Sequence, residues 1–121
     1  ASSKILFTYG TSIGHSYSPI ITRITRDIEG GGYSAIFVGD AVGSRSRVTH
    51  GTVEGGTADT KKMTTVVLDS PSYTLTDVIT YKIQWLAESG STSYLNRSSA
   101  YADNYYNMIA MSSMTAIEVG A

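Results

Sequence analysis

The chain has 121 residues and a mass of 12.9 kDa, enough for one domain with one sizeable core. Nine Lys and Arg against ten Asp and Glu give a net charge of −1, a poor match for nucleic acid, whose binding rests on many cationic contacts to phosphate. Cys is absent, which excludes disulfides, thiolate zinc sites and a cysteine nucleophile, and no apolar run approaches the ~20 residues of a membrane-spanning helix.

The dominant period along the chain is two. Lys4 to Tyr9 places Ile5, Phe7 and Tyr9 on one side. Pro19 to Ile28 carries Ile20, Ile24 and Ile28 on one side and Arg23, Thr25 and Asp27 on the other. Gly30-Gly31-Gly32 then reads as a turn, followed by a short apolar strand over Ser34 to Asp40 and a weakly alternating one over Arg45 to Thr52. Gly39 to Ser44 superficially suggests a phosphate loop. It lacks the Lys-Ser/Thr pair that such a loop needs, so it reads as a connection between strands.

Lys62 to Asp69 holds Val66, Val67 and Leu68 and ends in the turn Asp69-Ser70-Pro71. Ile79, Tyr81, Ile83, Trp85 and Ala87 alternate with Thr80, Lys82, Gln84 and Glu88, and only Leu86 breaks the polar side. This is the clearest strand, half-buried, and it fits an antiparallel sheet. Tyr94 to Ser98 is a brief strand. Tyr101 to Met111 suits a short helix, with Tyr101, Tyr105 and Met108 on one face, or a loop, given Asp103-Asn104. Met114 to Val119 closes the chain with Thr115, Ile117 and Val119 on one side. The predicted fold is all-β: an antiparallel β-sandwich, jelly-roll-like, of about eight strands, in a single domain over residues 1–121.

Chemistry is sparse. Ser and Thr form roughly a quarter of the chain, so a Ser near His15 or His50 carries no weight, and there is no nucleophile elbow. Neither a His-x-x-x-His pair nor an acidic calcium loop is present, so no catalytic residue, metal or cofactor is expected. Asn96-Arg97-Ser98 matches the glycosylation sequon, a match short enough to arise by chance, and reads as strand. The nine Tyr are more informative, since they cannot all be core. Tyr101, Tyr105 and Tyr106 cluster with Asn104 and Asn107, either to stack on the sugar rings of a host glycan or to pack against a neighbouring subunit or strand.

Several segments in order resemble a β-sandwich domain found at the C-termini of marine bacteriophage virion proteins of the tail-fibre and decoration kind. They are Ser2 to Leu6, Gly39 to Arg47, Leu68 to Pro71, Thr80 to Gln84, Tyr94 to Ser98 and Ser112 to Val119. The resemblance implies a fold similar to the tumour-necrosis-factor and complement globular heads. It also implies a homotrimer on a virion surface beside other virion proteins, with no enzyme activity. Members of this family carry a further strand before the Ser2 segment, so the resemblance implies a sheet short of one N-terminal strand and open to strand addition. The chain departs from the family again where Arg23, Arg26, Asp27 and Glu29 crowd one strand, as a charged rim or an intersubunit salt-bridge network.

Overall fold

A computed structural model describes residues 3–15, 19–52, 59–87, 91–105 and 107–120. Among them eight strands form two antiparallel sheets that pack together as a β-sandwich, with no helix. The strands are β1 (Lys4–His15), β2 (Ile20–Ile28), β3 (Ser34–Ile36), β4 (His50–Thr52), β5 (Thr60–Asp69), β6 (Ile79–Ala87), β7 (Ser93–Leu95) and β8 (Ser113–Val119).

Each sheet has one long central strand. β1 pairs with β5 along one edge, while β8 and β7 share the other, at Lys4–Gly10 and Ile13–His15. β2 pairs with β6 along one edge, and β4 and β3 share the other, at Ile20–Thr22 and Ile24–Arg26. Thr49 bridges the step between β4 and β3. Its N–H donates to Thr22 O at 2.9 Å, and its Oγ1 accepts from Ile24 N–H at 3.1 Å.

The period-two faces hold for Phe7, Tyr9, Ile20 and Ile24, whereas Trp85 on the expected dry side of β6 is exposed and Thr25 and Asp27 on the polar side of β2 are buried. Phe7, Tyr9 and Ile24 form one buried cluster, joined by Ile36, Val67, Tyr81 and Ile83. Ile13, Ile20 and Met63 form a second. Polar groups lock the two sheets where the apolar pattern stops. Tyr9 Oη and Thr22 Oγ1 lie 3.2 Å apart between β1 and β2. Arg26 shares the inner side with Ile20 and Ile24, and its Nη1 donates to both carboxylate oxygens of Asp69 at 2.6 Å. Tyr81 Oη donates to the same carboxylate at 2.7 Å.

The charged stretch of β2 is therefore engaged within the chain. Besides the Arg26 pair, Asp27 accepts the N–H groups of Gly30 and Gly32, Glu29 accepts Val78 N–H at 2.8 Å, and Arg23 donates to Gln84 at 2.8 Å. Arg26, Asp27 and Glu29 thus find partners within the chain, while Arg23 is bonded only through Nε to a neutral amide.

Several boundaries differ from the sequence expectation. The strand expected over Ser34 to Asp40 stops at Ile36, where Phe37 turns to φ 51°. That expected over Arg45 to Thr52 is reduced to His50–Thr52. Of the two alternatives for Tyr101 to Met111, the described residues take the loop, with turns and one isolated bridge, Arg97 to Ile109. β1 runs on past Tyr9 through Gly10 and Gly14 to His15, because β5 and β7 pair with it on both sides.

Gly14 has a steric purpose. A Cβ there would lie 2.2 Å from Arg97 O and 2.7 Å from Ser98 Cα, both backbone atoms of the segment that crosses it. Gly14→Ala is expected to displace that crossing and to destabilise the fold by about 2–3 kcal/mol, the scale of overpacking a tight interior. The chemical-denaturation midpoint checks this, with Gly39→Ala as control, since a Cβ at Gly39 meets nothing within 4 Å.

Candidate interaction surface

The crossing over Gly14 organises one end of the molecule. Asn96 leaves β7 at φ 62° and turns the chain back. Its N–H donates to Ser12 O at 2.7 Å, its carbonyl accepts Ala110 N–H at 2.7 Å, and its Oδ1 accepts Ser112 Oγ at 2.5 Å. Ser98 is fully buried beneath it. The sequon residues are thus structural, an assignment that the sequence, read as strand, did not provide. The one available signal was Asn itself, which tolerates positive φ better than most residues.

The Tyr and Asn cluster projects beside this crossing. Tyr101 and Tyr105 are 70% and 82% exposed. The Arg97 guanidinium sits over the rings of Tyr94 and Tyr101, 4.0 and 4.7 Å from their centroids. Asn104 closes a turn instead of standing free: its carbonyl and its Oδ1 both accept Asn107 N–H at 3.2 Å. Tyr106 lies outside the described residues. Of the two histidines, His15 is fully buried at the end of β1 and His50 is half-buried in β4. Among the described residues, no three His, Asp or Glu gather in a way that could hold a metal ion.

Two apolar surfaces stand out. On the outer side of the first sheet, Leu68 of β5, Leu6 of β1 and Ile117 of β8 lie in one cross-strand row, with Val66 and Val119 beside it. Val66, Leu68, Ile117 and Val119 are 64%, 49%, 52% and 41% exposed. Val67 points inward to the Phe7 cluster, so the Val66-Val67-Leu68 run serves both faces. The second surface is the rim between β6 and β8. Trp85, Leu95 and Met114 line an open cleft of about 350 Å³ there and remain partly in water. Every residue of β8 is exposed.

Compared with known proteins, the chain finds no matching family model, no matching curated protein and no matching solved structure.

Proposed function

We propose that the chain is a non-enzymatic structural subunit of a virion, a capsid-decoration or fibre domain, that closes into a homotrimer. The observation that carries the assembly is β8, exposed along its whole length between two different apolar surfaces. A strand of a sandwich with both sides in water is uncovered core, and a second copy supplies the missing cover. Because the outer face and the rim differ, the rim of one copy packs on the face of the next. Such heterologous contacts close into a ring when the rotation allows it. The ordered segments that resemble phage virion domains support a threefold ring on a particle.

The test is mass in solution. Light scattering on the purified chain is expected to give three times the mass of one chain. Leu68→Lys, on the face, and Met114→Lys, on the rim, each reduce it to the monomer. An equimolar mixture of the two variants recovers a dimer, since one intact face still meets one intact rim. An isologous contact gives no such recovery. A wild-type monomer at 100 μM overturns the assembly, and native particles that lack the chain overturn its place on the virion.

A further inference from the structure

The outer side of the second sheet is built differently. Cross-strand pairing places Ile21 and Arg23 of β2 beside Leu86 and Gln84 of β6. Residues 37–49 leave β3, arch over this side and return to β2 at Thr49. The arch is held by its own bonds: Gly39 N–H to Val48 O and Arg45 N–H to Val42 O, both at 3.2 Å. Between arch and sheet lies a cleft of about 770 Å³. That volume is of the size that takes small molecules, roughly 300–1,000 Å³. Ile21, Leu86, Val38 and Val48 form apolar walls, and Arg23, Arg47 and Gln84 supply the polar groups.

Three facts about the polar groups point to an anion. The lining carries two guanidiniums and no carboxylate. Among the described residues the one ion pair is that of Arg26 with Asp69, so neither Arg23 nor Arg47 is neutralised. Each is also held by its Nε edge, Arg23 on Gln84 Oε1 at 2.8 Å and Arg47 on Gly39 O at 2.7 Å. Fixing Nε sets the plane of the guanidinium and leaves its terminal NH2 groups for another acceptor, an arrangement that suits a planar carboxylate. A bare inorganic anion does not fill the cleft or use its apolar walls.

We infer that this cleft binds a small amphipathic carboxylate, with the acid group held by Arg23 and Arg47 and the apolar body against Ile21, Leu86 and Val48. The cleft shares Trp85 with the rim assigned to assembly, but Arg47 lines only this cleft and Leu68 belongs only to the outer face of the first sheet, so naphthoate affinity and assembly mass test the two separately.

The probe is 1-naphthoate, with 1-naphthalenemethanol as its neutral counterpart, titrated into the isotope-labelled full chain and followed by amide shifts. Naphthoate is expected to move the amides of 21–23, 38–48 and 84–86 and to bind roughly tenfold more tightly than the alcohol, the scale of one charge-assisted contact. Arg23→Gln and Arg47→Gln each weaken naphthoate about tenfold and leave the alcohol unchanged. Ala35→Phe, which fills the cleft from β3, abolishes both. Should Arg23→Gln disturb the fold, Arg47→Gln in the exposed arch decides alone. Equal affinity for the two probes overturns the inference. So do shifts confined to the first sheet, or an Arg47→Gln variant that binds naphthoate as the wild type does.

Discussion

Asp69→Ala is expected to destabilise the domain by about 3 kcal/mol, the cost of removing one member of a largely buried ion pair. Asp69 is 5% exposed and ends β5, yet its carboxylate accepts from Arg26 of β2 and from Tyr81 of β6. One side chain thus joins three strands and both sheets. Its loss leaves a guanidinium with only 21% of its side chain in water and no anion beside it. The paired variant Arg26→Met with Asp69→Leu is expected to cost less than Asp69→Ala, because no uncompensated charge remains. Denaturation midpoints of Arg26→Met, Asp69→Leu and the double variant measure the coupling. Equal losses for Asp69→Ala and the double variant would show that the pair does not act as a unit.

The same cluster gives a pH dependence with a defined sign. Burial, and then the hydrogen bond to the Asp69 carboxylate, push the Tyr81 phenol above its ordinary value of 10.0. The folded state therefore favours the neutral phenol. That contribution is complete below pH 10 and is lost as the pH climbs through the raised folded value. The stability gap between wild type and Tyr81→Phe is expected to be constant from pH 7 to 9 and to narrow above pH 10.

Much of this architecture is legible in alternation. Along Ile79 to Ala87, Tyr81 and Ile83 are half-buried against the Phe7 cluster while Lys82 and Gln84 face water, as the alternation predicts, but Trp85 at the same parity is left exposed. Ile20 and Ile24 give the inner side of β2 by the same alternation, and they place Arg26 there too. The partner of Arg26 is not legible. Asp69 precedes Ser70-Pro71 and reads as turn chemistry, although its parity with Met63 and Val67 aims it into the core. The alternation of the first strand is legible only to Tyr9, and nothing in the sequence shows that glycine at 14 lets a distant segment cross the strand closely. Asn104 sits in an aromatic cluster that suggests either a glycan or a subunit contact, and its role in closing a local turn is not legible there. The cleft over the second sheet escapes a sequence reading for a similar reason. The connection from Gly39 to Ser44 is plain as a loop, while the face it covers is fixed by Thr49 anchoring on Thr22 and Ile24. Local pattern determines which side of a strand is dry; contacts between residues far apart in the chain determine what lies on it.

Phe7→Ala is expected to have the largest effect on the fold. Phe7 is 1% exposed, stacks on Tyr81 at 4.8 Å and 20°, and lies 6.3 Å from the Tyr9 ring. Truncating a buried Phe costs about 3–5 kcal/mol through lost transfer energy and the cavity left behind. Domains of this size hold only about 5–15 kcal/mol in total. The described residues bury six hydrophobic side chains and expose eighteen large ones, so the reserve in one subunit is at the low end of that range. The cavity cannot close readily, since its walls are strands whose spacing is set by backbone pairing with β5, β8 and β6. Loss of the cooperative thermal transition and of the aromatic circular-dichroism signal at 25 °C is the expected result. Leu75→Ala, at an 89% exposed position, is expected to change stability by less than ~0.5 kcal/mol. A Phe7→Ala variant that still melts cooperatively within a few degrees of wild type would place the stability outside the sandwich core. The subunit contacts would then carry it, and its midpoint would rise with protein concentration.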